Sequence, residues 1–132
     1  MSRLLALPLV LTLAACSGMK MRVKPAETPD PVLQHVVLVQ LDDPSLAPEM
    51  LRDSREAFEA IPSLRRWDMG PRVDTGRPGL PDWYTVGLVT SFDTLADYRA
   101  YLEHPRHKAL VEKWKPRWKR SEIYDFGTPA AK

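Results

Sequence analysis

A run of seven residues, HVVLVQL at positions 35–41, constrains the fold most strongly, because it predicts a strand that is apolar on both faces. Successive side chains of a strand point to opposite faces of a sheet. One face would carry Val37, Val39 and Leu41, and the other would carry Val36 and Leu38. Strands that are covered on both faces show this continuous apolar pattern. We therefore expect this strand to lie inside a sheet whose two faces are both covered.

The rest of the chain predicts two helices and three further strands. The first helix, 48–61, begins with a proline in its first turn, where proline is tolerated, and is stopped by Pro62. Asp93 is a good N-cap for the second helix, 94–103. The predicted strands are 64–73, 83–92 and 122–126, and the turn-rich segment 74–82 is predicted to be a loop.

The resulting order, β-α-β-β-α-β, is typical of the ferredoxin-like α+β fold with an antiparallel sheet. Such a sheet carries both helices on one face. The other face, which includes Val36 and Leu38, must then be covered by another partner, and a second copy of the chain is the simplest one. The pattern therefore predicts a homodimer in which two sheets pack face to face.

Residues 106–120 combine seven Lys and Arg residues with Trp114 and Trp118. Basic helices with tryptophan can lie in a membrane interface. Here the two tryptophans fall on the same side as Leu110 and Val111, so we interpret the segment as a solvated basic face over a packed core. The formal net charge of only +2 argues against nucleic-acid binding, which needs a concentrated basic face.

The N-terminal sequence, MSRLLALPLVLTLAAC, predicts export and lipid attachment. Arg3 precedes twelve largely apolar residues, which are too few to cross a bilayer but suit the apolar region of a signal peptide. The run ends Leu13-Ala14-Ala15-Cys16, which resembles the lipobox of bacterial lipoproteins. We therefore predict a signal peptide at 1–15 and an acylated Cys16. An ordinary secretory signal that happens to precede a cysteine is the alternative.

Cys16 is the only cysteine, so an intramolecular disulfide cannot form, and acylation would remove an exposed thiol. Residues 16–34 are predicted to be a lipidated flexible tether, 35–127 a single domain and 128–132 a disordered tail. Ser17 follows the cysteine where lipoproteins kept at the inner membrane often carry Asp. By resemblance to those sorting rules, we expect the periplasmic face of the outer membrane, with the inner membrane as the alternative.

Four motifs of the domain resemble one known family. They are His35-Val-Val-Leu-Val, Ser91-Phe92-Asp93-Thr94, Tyr101-Leu-Glu-His104-Pro105-Arg-His107 and Tyr124-Asp125-Phe126. Together they resemble the stress-responsive dimeric α/β-barrel (Dabb) family over nearly all of residues 35–126. The resemblance implies a ferredoxin-like protomer and a dimer in which two sheets close into a barrel.

The same resemblance implies candidate site residues. One plant member of the family cyclises a linear polyketide. It uses a histidine as general base with a tyrosine nearby. These two positions match His107 and Tyr101 of this chain. The histidine that opens its first strand matches His35, and we count His35 and His104 as candidate ligand-binding residues. Two further polar positions of that enzyme correspond approximately to Val86 and Ala57 here, so the resemblance does not extend to them.

Three functions remain open from the sequence. The first is binding of a small, partly apolar molecule. The second is a cyclase- or isomerase-type reaction in which His107 takes a proton next to a carbonyl and Tyr101 assists. The third is a structural role for the dimer, with the imidazoles of His104 and His107 only capping a turn.

The sequence predicts neither a metal nor a cofactor. His35, His104 and His107 could converge on zinc, but no carboxylate or thiol follows a recognisable ligand spacing. Haem bound through His107 or His35 is a weaker alternative. The sequence has no Gly-rich phosphate loop, no Gly-x-Ser-x-Gly elbow and no Cys-x-x-Cys pair.

Overall fold

The computed structural model describes residues 33–127, which form one antiparallel sheet with a layer of helices on one face. The predicted signal peptide, the acylated Cys16, most of the tether and the C-terminal tail lie outside these residues. The elements are β1 (Leu33–Leu41), α1 (Ala47–Glu59), β2 (Arg66–Pro71), β3 (Val86–Phe92), α2 (Leu95–Glu103), α3 (Pro105–Trp114) and β4 (Trp118–Gly127). The turns Pro44–Leu46 and Lys115–Arg117 are 3₁₀ helices.

The strand order β2-β3-β1-β4 confirms the predicted ferredoxin-like α+β fold. β1 lies between β3 and β4 and pairs antiparallel with both. Within residues 33–127, none of the helices has the length and apolar character required to span a membrane.

β1 divides its side chains between the two faces of the sheet, as the sequence predicted. His35, Val39 and Leu41 are buried beneath the helices, whereas Val36 and Leu38 point to the opposite face. The register places Val39 opposite Val86 of β3 and His35 opposite Asp125 of β4. The face of the central strand that lies under the helices therefore carries a histidine among aliphatic residues.

The strand boundaries differ from the prediction by two to four residues at several ends. β1 begins at residue 33 rather than 35, β2 spans 66–71 rather than 64–73, and β3 begins at 86 rather than 83. β4 begins at Trp118, four residues earlier than predicted, because Trp118 pairs with Leu41 across the sheet. Trp118 is therefore a strand residue and not part of the basic helical segment.

The predicted N-cap of α2, Asp93, is wrong. Thr94 has the extended backbone of an N-cap, and its hydroxyl oxygen accepts from the Asp97 backbone N–H at 3.0 Å. The Thr94 hydroxyl in turn donates to the Asp97 carboxylate at 2.6 Å. Asp93 instead forms an ion pair with Arg65, with 2.7 Å between Nη1 and Oδ1.

The segment after α2 forms a separate third helix, which the sequence prediction had not distinguished. Pro105 occupies its first turn, and the His104 side chain is its N-cap, with Nδ1 accepting from the Arg106 backbone N–H at 3.2 Å. α3 ends at Trp114, whose side chain is completely buried in the core.

The Trp114 side chain joins α3 to α1. Its indole Nε1–H donates to the Asp53 carboxylate at 3.0 Å, and Lys113 pairs with Asp53 and Glu49 at 2.5 and 3.0 Å. Partial burial raises the pKa of Asp53, but the hydrogen bonds from Lys113 and Trp114 outweigh it, so the pKa lies below its ordinary value. The contact therefore depends on an ionised, largely covered carboxylate.

The opposite face of the sheet carries exposed apolar side chains. The register places Val89 and Tyr124 beside Val36, and Phe126 beside Gln34. Phe126 is 60% exposed and Tyr124 is 50% exposed. We call this surface, which carries Val36, Val89, Tyr124 and Phe126, the bare face.

We expect Asp53→Ala to lower the free energy of unfolding by about 1–3 kcal/mol at pH 7, because the buried indole N–H of Trp114 loses its acceptor. Urea denaturation followed by circular dichroism measures this loss.

Since the folded-state pKa of Asp53 lies below 3.8, its stabilising contribution is present above that pH and is lost as the pH falls further. The difference between the wild type and the variant should therefore shrink as the pH falls below about 4.

Glu49→Ala is the matched control, because it removes only a more exposed ion pair of the same Lys113. We expect a clearly smaller loss than for Asp53→Ala. Equal losses for the two variants would contradict a special role of the Trp114 hydrogen bond.

Candidate functional site

A cavity of about 360 Å³ lies between the sheet and the three helices. β1, β3 and β4 form its floor, and α1, α2 and α3 form its roof. Its apolar wall consists of Val37, Val39, Met50, Phe58, Leu88, Leu102, Leu110, Val111 and Ile123. Such a mostly apolar cavity with a few polar groups is typical of small-molecule sites.

His107 lies in the first turn of α3 and lines the cavity. Its Nδ1–H donates to the backbone carbonyl of Leu102 at 3.2 Å, so the neutral ring keeps its lone pair on Nε2. Burial is the main cause that lowers the pKa of His107, and the neighbouring His35 and His104 add to it. The imidazole is therefore held as a neutral acceptor at pH 7.

His35 enters the cavity from β1. Its Nδ1 lies 2.6 Å from the Asp125 carboxylate of β4, and the Tyr98 hydroxyl donates to the other Asp125 oxygen at 3.0 Å. Burial and the hydrogen bond to Asp125 raise the pKa of Tyr98 to about 12. Asp125 therefore fixes the orientation of both an imidazole and a phenol.

Tyr101 lies between the two histidines. Its ring centroid is 4.2 Å from that of His107 and 6.0 Å from that of His35. The side chain is almost completely buried, and this burial raises the pKa of Tyr101 well above its ordinary value. Tyr98 and Tyr101 therefore stay protonated at neutral pH and can donate hydrogen bonds.

The structure brings three of the four candidate residues together. His35, Tyr101 and His107 line the same cavity, whereas His104 caps α3 and does not contribute to the wall. Val86 and Ala57, which correspond to polar positions of the plant cyclase, are buried in the core.

Asp125 and Tyr98 are the site residues that the sequence prediction missed. The sequence placed Tyr98 only within the second predicted helix, 94–103, and Asp125 only within the last predicted strand, 122–126. Antiparallel pairing of β4 with β1 places Asp125 opposite His35. This register is the signal from which Asp125 could have been predicted as a site residue.

Three buried polar atoms near the cavity have no hydrogen-bond partner among the described residues: Ser54 Oγ, Thr90 Oγ1 and Trp118 Nε1. All three residues contribute to the cavity wall. Native proteins rarely leave such groups unpaired. In residues 33–127, no three His, Cys, Asp or Glu side chains are close enough together to hold a metal ion.

Solved structures share this fold at low sequence identity. A dimeric ferredoxin-like protein of unknown function from Thermobifida fusca is 22% identical with a TM-score of 0.62, over 73% of this chain and 90% of that chain. A Dabb family protein from Mesorhizobium loti is 23% identical with a TM-score of 0.63, over 77% and 100%. Hydroxynitrile lyase from Passiflora edulis is 13% identical with a TM-score of 0.66, over 79% and 99%.

No curated protein matches the chain. The domain family described as the stress-responsive A/B barrel domain, Dabb, matches residues 33–128, which is most of the sequence and all of the described fold. These residues include β1 to β4, the cavity and the bare face. The chain belongs to the Dabb family.

Proposed function

We propose that this protein is a membrane-anchored lipoprotein whose Dabb domain binds a small, partly apolar molecule in the cavity. The observation that carries the proposal is the composition of the wall. Aliphatic residues line most of the cavity, and His35, Tyr98, Tyr101 and His107 lie together at one end. A solidly packed interior would instead have favoured a purely structural role.

The polar end is built for recognition of a ligand group rather than for packing alone. Each of the two imidazoles is held through Nδ1, one by Asp125 and the other by the Leu102 carbonyl. Nε2 is therefore the nitrogen that each ring keeps for a ligand. The Tyr98 hydroxyl donates its only proton to Asp125, so the Tyr101 hydroxyl is the donor that remains for a ligand, and this end can bind a carbonyl or a hydroxyl group.

We also propose that the protein is a homodimer whose bare faces pack together. The apolar side chains Val89, Tyr124 and Phe126 are exposed in the single chain, and burying them would remove apolar area from water. The Thermobifida fusca structure is described as dimeric, and it shares this fold. The cavity lies on the other side of β1, so dimerisation by this face leaves the cavity wall intact.

The proposal of a lipid anchor at Cys16 is based on the N-terminal sequence. The apolar run, the Leu13-Ala14-Ala15-Cys16 motif and the absence of Asp after the cysteine support acylation of Cys16 and sorting to the periplasmic face of the outer membrane. The ligand would then be met in the cell envelope.

Ser121→Trp is expected to abolish ligand binding, because Ser121 is an exposed residue of the cavity wall and a large ring there would block the cavity. Native mass spectrometry of the purified wild-type protein should show an added mass from a co-purified small molecule. That mass should be absent from Ser121→Trp.

Thr75→Trp is the control, because it adds the same ring at an exposed loop position away from the cavity. It should keep the added mass. A wild-type protein without any bound molecule, or a Ser121→Trp variant that retains it, would speak against the proposal.

A second candidate function is an enzyme of the cyclase or isomerase type with His107 as general base and Tyr101 as hydrogen-bond donor. The favouring observation is that His107 is a partly buried imidazole with Nδ1–H fixed and Nε2 unprotonated at pH 7, which is the form that a base requires. One neighbour in fold is a hydroxynitrile lyase, so this fold is used by an enzyme.

We expect ¹⁵N NMR to show His107 as the Nδ1–H tautomer, with a titration midpoint below its ordinary 6.5. His104 is the internal control, because its Nδ1 accepts a hydrogen bond and the proton of its neutral ring must lie on Nε2. The two histidines should therefore show opposite tautomers. An Nε2–H tautomer for His107, or a midpoint at or above 6.5, would remove it as the base.

Cys16→Ser is expected to release the protein from the membrane fraction, because one or more acyl chains would no longer be attached. Labelling with a palmitate analogue should mark the wild type but not the variant. Ser17→Thr keeps the cysteine and should remain labelled and membrane-bound. Equal membrane association of Cys16→Ser and wild type would contradict the anchor.

A further inference from the structure

The polar end of the cavity contains a strict hydrogen-bond acceptor, the Nε2 atom of His107. The Nδ1–H of this ring donates to the Leu102 carbonyl, and burial lowers the pKa of His107. The ring is therefore neutral at pH 7, and its Nε2 presents a lone pair without a proton. A ligand atom that faces Nε2 must carry a hydrogen that it can donate.

The Tyr101 hydroxyl is the donor next to this acceptor. The ring centroids of Tyr101 and His107 are 4.2 Å apart, and burial raises the pKa of Tyr101, so the hydroxyl keeps its proton. Neither the hydroxyl nor His107 Nε2 has a hydrogen-bond partner among residues 33–127, and neither belongs to the unpaired atoms that lack accessible surface there. Both side chains line the cavity, so one ligand oxygen can contact both atoms.

This pair of atoms distinguishes a hydroxyl group from a carbonyl group. A ligand hydroxyl donates its hydrogen to His107 Nε2, while its oxygen accepts from the Tyr101 hydroxyl. A ketone oxygen can accept from Tyr101 but has no hydrogen for His107, so two lone pairs would face each other. Because an unpaired acceptor inside a cavity costs free energy, the ketone should bind more weakly than the alcohol.

The surroundings of this pair disfavour a charged ligand group. A carboxylate would meet the lone pair of His107 and, behind His35, the Asp125 carboxylate, which lies 2.6 Å from His35 Nδ1. Both Asp125 oxygens already accept hydrogen bonds, from His35 and Tyr98, so Asp125 is not free to pair with a cation. Charges are costly to bury without a partner. The matching ligand group is therefore uncharged.

The floor of the cavity accommodates the apolar part of the ligand. β1 continues from His35 through Val37 to Val39, and all three residues line the cavity. At about 3.3 Å per residue, His35 and Val39 are about 13 Å apart. Met50 and Phe58 of α1 complete the aliphatic and aromatic wall. An apolar body can therefore extend along β1 from a polar group at the histidines.

We propose that the ligand is an uncharged molecule with a hydroxyl group on an apolar body, and that the hydroxyl group binds between His107 and Tyr101. This inference rests on the proposed binding function and adds the polar group and the orientation of the ligand. It makes His107 the residue that distinguishes an alcohol from a ketone of the same carbon skeleton.

A matched pair of compounds tests the hydroxyl group. 2-Octanol and 2-octanone have the same carbon skeleton and differ only at the carbon that carries the oxygen. We expect the full-length protein in nanodiscs to bind 2-octanol about tenfold more tightly than 2-octanone, because only the alcohol satisfies His107. Isothermal titration calorimetry measures both dissociation constants, and empty nanodiscs correct for partition into the lipid.

Two variants separate the two contacts. His107→Phe keeps a ring beside Tyr101 but removes the acceptor, so the two compounds should bind with nearly equal affinity. Tyr101→Phe removes a donor that both compounds use, so it should weaken both about tenfold and keep the preference for the alcohol. A preference for 2-octanol that persists in His107→Phe would overturn the role of His107.

His104→Asn is the matched control, because an amide oxygen can still cap α3 and His104 does not line the cavity. It should keep the preference of the wild type, and thermal melts should confirm that all variants are folded. Independently of the two compounds, the molecule that co-purifies with the wild type should gain an acetyl group on treatment with acetic anhydride.

The outcomes distinguish this inference from the binding function itself. Equal affinity of the wild type for both compounds, or a co-purified molecule without a hydroxyl group, would overturn the inference but leave small-molecule binding intact. A preference for 2-octanone would overturn it in favour of the second candidate function, which requires a carbonyl substrate. Absence of saturable binding by either compound, together with absence of a co-purified molecule, would overturn both.

Discussion

The burial of Trp114 and its hydrogen bond to Asp53 determine how α3 is placed against α1 and above the sheet. α3 has ten residues, a length at which an isolated helix is marginal in water. Trp114 holds its C-terminal end in the core and against α1, while the His104 cap and Pro105 define where it begins. The position of His107 above the cavity follows from these two fixed ends. An ion pair on the surface could not replace this contact, because the indole N–H is buried and requires an acceptor.

The fold could be predicted largely from local patterns. The apolar run at 35–41 identified the central strand, Pro48 lies in the first turn of α1, and Pro62 follows three residues after its last residue, Glu59. The details that were missed depend on contacts between distant segments. Trp118 belongs to a strand because it pairs with Leu41, and Asp93 is not the cap because it pairs with Arg65 while Thr94 adopts the extended backbone.

The residues of the candidate site also differ in this respect, because some are close in sequence and others are brought together only by contacts between distant segments. Tyr101 and His107 are near in sequence, so one motif contains both. His35 and Asp125 are ninety residues apart, and only the register of β1 and β4 brings them together. Tyr98 has the spacing of a core residue, and its ring does pack on Phe92, yet its hydroxyl reaches Asp125. A tyrosine has an apolar ring and a polar hydroxyl group. Its spacing in the sequence indicates that the ring packs in the core, but the sequence alone does not indicate which residue the hydroxyl group contacts.

The two halves of the cavity are built from different parts of the fold. The histidines are oriented by Asp125 on β4 and by the Leu102 carbonyl at the end of α2, whereas Met50 and Phe58 of α1 and Leu88 of β3 shape the apolar part. Substitutions on α1 and β3 can therefore change the volume and shape available to a ligand without disturbing the orientation of either imidazole. During evolution, such a scaffold can exchange one ligand for another in small steps while its reactive groups stay in place. Members of one family built in this way can diverge in substrate long before they diverge in structure.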